Sequence, residues 1–277
     1  MSSEIQRRSL LAAGATGFVA LIGGCGAAAA QPRAAASPSA APRDGDRPAG
    51  GVMSAAVATG VLAGRVVGID PGHNGRNYTN PAFLNAPVWN GREWEGCDTT
   101  GTETDDGYTE ALFNFNVAEF LRDKLRSDGA TVVMTRTSND GLGPCVNRRS
   151  RIIDDAHADV AIDIHADGGP PDGRGFSILE PVADGTNDKV IASSKRFGDV
   201  LRSAYGAGTP MPLSDYYGVD GIEYRPDLAG LNLTSVPKVL IECGNMRNAA
   251  DAELLRTTEF QRAAAHAMAT AIVSFLR

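Results

Sequence analysis

At 277 residues, with 43% hydrophobic and 21% charged side chains, the chain can build one core of ordinary domain size with residues left over for a tail. A net charge of −7 without any basic block or stripe gives a nucleic-acid role little support, and aromatic residues at 6% argue against a base-stacking platform. The sequence carries no internal repeat and no glycine-rich phosphate loop.

In chain order, the first segment reads as a targeting signal. Arg7-Arg8 precede Ser9-Leu10-Leu11, and an apolar Ala/Gly-rich run extends to about Gly24, so residues 1–25 have the pattern of a twin-arginine export signal. The run is too short and glycine-rich for a good permanent membrane span. Its end is open between two readings. Leu21-Ile22-Gly23-Gly24-Cys25 resembles a lipobox, in which Cys25 would be lipidated and become the membrane anchor; the Ala-rich sequence just beyond offers ordinary cleavage sites. Residues 26–63 are rich in Ala, Pro, Arg, Ser and Gly and read as a flexible tether. The expectation is an exported monomer of the periplasm or cell wall, with its folded domain at 64–277.

From Gly64 the chain alternates apolar strands with helical stretches. Strands are expected at Val66–Ile69, Thr131–Thr135, Val160–Ile164, Gly175–Glu180 and Pro237–Ile241, and helices at Gly107–Ser127, Val146–Ala156, Asp188–Tyr205 and Glu259–Leu276. The strands read as apolar runs covered on both faces, and the order implies an α/β sandwich around a largely parallel sheet. In such folds ligands bind beyond the carboxyl ends of the strands. His73, His165 and Glu242 all stand at or just past strand ends. Glu110 shares a helical face with Phe113, Val117 and Leu121, so it should point inward, where a carboxylate needs a positive partner. Two imidazoles and a carboxylate can hold zinc with room for a water, and a further carboxylate can act as base, which suits hydrolysis of an amide or ester. Each residue alone also has a plainer reading: a loop histidine, a satisfied core histidine, a capping glutamate, a glutamate paired with arginine. His157 and His266 lack the strand-end placement and are assigned to structure or surface.

The cysteines read in the light of export. Cys97 and Cys145 fall in loop-like stretches and can pair in an oxidising compartment, whereas Cys243 ends a strand and reads as a buried free thiol. The segment 77–104 is longer and more polar than a minimal connection. It reads first as a pinned surface loop or hairpin and second as a wall or gate of a groove.

Taken together and in order, these residues resemble the zinc-dependent N-acetylmuramoyl-L-alanine amidases. The match runs through Ile69-Asp70-Pro71-Gly72-His73-Asn74-Gly75, Glu110 with Asn114, Gly129 to Arg136, Arg149, Ile164-His165-Ala166, and Val239-Leu240-Ile241-Glu242-Cys243-Gly244 with Asn248. The resemblance implies one zinc ion on His73, Glu110 and His165, with Glu242 as the catalytic carboxylate. It also implies a single-domain α/β sandwich with a mostly parallel six-stranded sheet flanked by helices. The substrate implied is peptidoglycan or its fragments, cut between the lactyl group and L-alanine. Asp163 stands where the family usually has serine, and Asn245 where phenylalanine is frequent. Asp163 or Asp167 can orient His165 through its second nitrogen, although solvated or capping aspartates explain them equally well. The competing functions are a zinc peptidase cutting within the stem peptide and a non-catalytic wall-binding regulator. The second would require a missing ligand or base.

Overall fold

The computed structural model describes residues 59–277. The expected export signal, the lipidation choice at Cys25 and the expected tether as far as residue 58 lie outside the described residues. The elements are β1 (Val66–Pro71), α1 (Pro81–Leu84), β2 (Pro87–Trp89), β3 (Trp94–Gly96), α2 (Glu110–Ser127), β4 (Thr131–Met134), α3 (Val146–Asp155) and β5 (Val160–Asp167). They continue with β6 (Ser177–Pro181), α4 (Ile191–Gly208), β7 (Ile222–Arg225), α5 (Ala229–Asn232), β8 (Lys238–Asn245), α6 (Ala249–Leu255) and α7 (Thr258–Leu276). Six strands form one sheet in the order β4-β1-β5-β8-β6-β7, parallel throughout except where β6 meets β8. The expected architecture is therefore present. Four short elements, α1, β7, α5 and α6, were not foreseen. At four to seven residues they carry too little periodicity to stand out from loop.

The strands are not the uniformly apolar runs expected. On β5, Val160, Ile162, Ile164 and Ala166 join the main hydrophobic cluster, together with Val67 and Ile69 of β1 and Val239, Ile241 and Cys243 of β8. Helices α2, α4 and α7 cover this face. The alternate residues, Asp70, Asp163, His165, Lys238 and Glu242, turn to the opposite face because side chains alternate along a strand. Among the described residues that face carries two small apolar clusters, beneath α3 and α5. One side of the sheet thus holds the fold together, and the other carries ionisable groups.

Residues just before Gly64 also pack against the domain. Leu62 is buried in the main cluster, and its N–H donates to the Asp128 carbonyl at 2.8 Å. The expected placement of His157 and His266 is seen: His157 lies in the link between α3 and β5, and His266 on the exposed side of α7.

Candidate active site

The parallel register of β5 and β8 sets His165 directly opposite Glu242. His73 reaches the same edge from the turn after β1, and Glu110 from the first turn of α2. The helix face argued from sequence is real: Glu110, Phe113, Val117 and Leu121 are all buried. His73 Nε2 lies 3.1 Å from Glu110 Oε2, and His165 Nδ1 lies 2.8 Å from Glu110 Oε1. One donor atom from each of the three residues falls within 4.8 Å of the others, so the group can hold a metal ion. Glu110 also accepts from the backbone N–H groups of Thr102 (2.9 Å) and Ala166 (3.3 Å) and from Asn114 Nδ2 (3.3 Å), which hold the carboxylate in place.

Close approach of backbone to these side chains requires glycine. A Cβ on Gly72 would stand 2.2 Å from His165 Cε1, and one on Gly101, where φ is +73°, 2.7 Å from both Glu110 Oε2 and His73 Cδ2. His73 itself has φ +59°, an uncommon conformation for a residue with a side chain. Two arginines hold that turn. Arg136 donates to the carbonyls of Pro71 and Gly72, and Arg149 to those of Pro71 and His73.

The residue that orients a histidine is neither Asp163 nor Asp167. Lys238 Nζ lies 2.7 Å from Asp163 Oδ1, and Asp167 Oδ2 accepts from the Tyr216 hydroxyl at 2.8 Å. Neither carboxylate bonds to His165, so the expected role is corrected. The carboxylate at a second ring nitrogen is instead Asp98, whose Oδ1 lies 3.3 Å from His73 Nδ1; the Thr99 carbonyl lies at the same distance. Asp98 Oδ2 accepts from Arg149 Nη2 at 3.0 Å. Cys97 and Cys145 form the expected disulfide, and it joins the two pieces of this arrangement. Asp98 follows Cys97, and the N–H of Arg149 donates to the carbonyl of Cys145, the residue that precedes α3. Sequence reasoning missed Asp98 because it lies in an irregular stretch; its one signal was adjacency to a paired cysteine.

The charges of the site are strongly coupled. Burial alone would lower the His73 pKa, but Glu110 and Asp98 outweigh it and push the value up to about 10. Burial opposes the Glu110 charge, yet the two histidines hold its carboxyl well below the usual carboxylate range. Burial, with Glu110 and Asp167 adding like charge, raises Glu242 well above that range. Its Oε2 is buried without a hydrogen-bond partner, an orphaned polar atom beside the three-donor group. A cation placed among the donors would satisfy Glu110 and draw Glu242 towards its ionised form. The donor set, two imidazoles and a carboxylate with a free carboxylate nearby, therefore fits zinc chemistry.

His73, Glu110, His165 and Glu242 line a cleft of about 390 Å³ with Asp167, Leu179, Arg225 and Leu240. A second chamber of about 340 Å³ shares His73, Thr99, His165, Leu228 and Leu240, and adds Glu95, Gly96, Asp98 and Arg149. The segment 77–104 is pinned by the disulfide and also supplies a wall of the groove, so both readings of it hold together. Cys243 is buried and its thiol is raised by that burial beyond any nucleophilic use.

Comparison with known proteins bears on this geometry. A family model described as N-acetylmuramoyl-L-alanine amidase matches residues 67–274. A protein of Mycobacterium tuberculosis named as an N-acetylmuramoyl-L-alanine amidase is 36% identical over 226 residues, which cover 81% of this chain and 92% of that protein. The crystal structure of the N-acetylmuramyl-L-alanine amidase Ami1 from Mycobacterium smegmatis matches with a TM-score of 0.73 at 37% identity, covering 78% of this chain and 98% of that one. The apo form of the corresponding enzyme from Mycobacterium abscessus matches with a TM-score of 0.73 at 38% identity, covering 78% of this chain and all of that one.

Proposed function

The chain belongs to the N-acetylmuramoyl-L-alanine amidase family, and from that premise we propose that His73, Glu110 and His165 hold one zinc ion and that Glu242 is the general base. The protein hydrolyses the amide between the lactyl group of N-acetylmuramic acid and L-alanine in peptidoglycan or its fragments. Membership favours this bond over one within the stem peptide, and the presence of all four residues argues against a silent binding module.

A zinc ion held by the three side chains supplies Lewis-acid polarisation of the amide carbonyl and lowers the pKa of water towards about 7. The residues of the chain do the rest. Asp98 and the Thr99 carbonyl would keep a hydrogen of His73 on Nδ1, so that Nε2, 3.1 Å from Glu110 Oε2, is the ring atom available to a metal ion. Glu242 accepts the proton of the attacking water and delivers one to the leaving alanine nitrogen, because an amine anion is too poor a leaving group to depart unprotonated. Leu179 and Leu240 give the cleft an apolar wall beside these groups. The products are a glycan bearing free lactyl carboxylates and a released stem peptide.

The observation that carries this reading is the convergence of the three donor atoms opposite the orphaned Glu242 oxygen. The substrate lies outside the cytoplasm, which supports export by the twin-arginine-like signal at 1–25. Cys25 lipidation and cleavage beyond it remain the two forms of the mature protein to distinguish, by mass spectrometry of its amino terminus. The same instrument tests function: muropeptides digested by the purified protein should show a new alanine amino terminus and a free lactyl carboxylate, and a chelator should abolish both. Cleavage between stem residues with the lactyl amide left whole would overturn the assignment.

A further inference from the structure

The chain has two tryptophans, and both stand on the β2–β3 hairpin, opposite one another in register. Their ring centroids are 5.7 Å apart with planes at 65°. An edge contact of this kind steadies a hairpin, but it does not account for the exposure of the rings, 42% at Trp89 and 69% at Trp94. Exposed apolar surface rimmed by polar residues marks a binding site when it borders one already known.

The hairpin is held in position for such a task. A two-stranded hairpin is marginal by itself. Here the buried Asn90 donates to the Asp227 carbonyl at 3.2 Å, and its Oδ1 accepts from the N–H groups of Arg92 and Glu93 across the turn. Arg92 reaches the Ala183 carbonyl at 2.6 Å, and the Cys97–Cys145 disulfide follows immediately after β3. Glu95 and Gly96 line the chamber that also contains His73 and His165. Trp94 stands four residues before Asp98, the residue that touches His73 Nδ1. At most about 14 Å of extended backbone therefore separates the tryptophan from that contact.

We propose that Trp89 and Trp94 form a stacking platform for the glycan strand that carries the lactyl amide. A pyranose ring presents a face of weakly positive C–H groups, which suits the negative face of an indole ring. Successive sugars in a strand are turned relative to one another, and two rings tilted at 65° offer two differently oriented faces to such a chain. Glu93 is exposed in the turn beside Trp94, so its carboxylate can accept from sugar hydroxyl and acetamido N–H groups while disfavouring anionic polymers, whereas Glu95 turns to the other face of the strand and lines the chamber. The occupant is thus a neutral N-acetylated glycan rather than a charged peptide. The identity of that glycan rests on the amidase reading, whereas the binding is read without turnover.

Because no other tryptophan exists in the chain, its intrinsic indole emission reports this hairpin alone. The full chain, treated with chelator so that nothing is hydrolysed, is titrated with a peptide-free oligomer of β-linked N-acetylglucosamine. A saturable change in emission is expected. Trp94→Ala, read through Trp89, should weaken binding by about two- to tenfold, and Trp94→Phe should restore most of it. Tyr224→Ala, which removes an exposed aromatic ring from β7, should bind as the parent does. Absence of a saturable change, or equal affinity in Trp94→Ala, overturns the platform. A saturable response to a stem peptide with none to the glycan overturns it as well. Glycan binding by a protein that cuts no lactyl amide would instead leave the platform standing and remove the amidase reading.

Discussion

Replacing Asp98 by asparagine should loosen zinc without removing a zinc ligand. Oδ1 of Asp98 faces His73 Nδ1 at 3.3 Å and accepts from the Thr99 N–H at 2.7 Å, while Oδ2 accepts from Arg149 at 3.0 Å. An asparagine has one acceptor oxygen and one donor NH2. With its oxygen towards His73 and Thr99, the NH2 meets the Arg149 guanidinium. With its oxygen towards Arg149, the NH2 meets the Thr99 N–H and the protonated Nδ1. Either orientation sets donor against donor in a buried place, so the imidazole loses the partner that holds its tautomer and angle. Partners of metal-bound histidines typically contribute about 10- to 100-fold in metal affinity, or about 1.4 to 2.7 kcal/mol. Arg149 keeps its bond to Asp70 at 2.8 Å, so the frame beneath the turn should survive. Competition against a chromophoric chelator measures the affinity, and near-ultraviolet circular dichroism checks the fold. A folded Asp98→Asn protein whose zinc affinity stays within about twofold of the parent would refute the positioning role, even if its melting temperature fell.

Four further outcomes follow from the same geometry. Glu242→Gln should retain zinc and fold while losing about 100- to 10,000-fold in turnover; loss of zinc instead would make Glu242 a ligand. His73→Ala and His165→Ala should each purify with little zinc by elemental analysis, and full occupancy in both would dismiss the proposed ligand set. Zinc loading at neutral pH should release a proton from His73, since the folded protein holds that proton up to about pH 10; affinity should accordingly weaken as pH falls. Calorimetry in buffers of different ionisation enthalpy reads this, and zero protons released at pH 7 would contradict it. Cys145→Ser should lower stability by about 4 kcal/mol in the chain-entropy model for a loop closed across 48 residues, and should also weaken zinc, because Asp98 and Arg149 are joined through that bridge. Denaturant unfolding with and without zinc separates the two effects.

The sequence by itself determined much of the site, for local reasons. Glycine and proline punctuation marked where β1 ends and His73 begins. Helical spacing put Glu110 on the buried face with Phe113 and Val117. The apolar runs before His165 and Glu242 placed both in the carboxyl-terminal halves of their strands, although β5 runs on to Asp167 and β8 to Asn245, and the expectation of export made the Cys97–Cys145 pair chemically reasonable. What depended on a neighbouring strand was not legible. Asp163 shares a strand face with His165, so spacing alone made it a candidate partner. In the fold, β8 lies beside β5 and sets Lys238 opposite Ala161, and the ammonium takes the Asp163 carboxylate. Asp98 shows the converse: an irregular stretch has no period to reveal its direction, and only the disulfide and Arg149 bring it to His73. The hairpin tryptophans belong to the same class, since their exposure depends on what the rest of the chain leaves uncovered. Periodicity reports which way a side chain leaves its own element, whereas its partner is set by register and strand order, which only the tertiary structure decided.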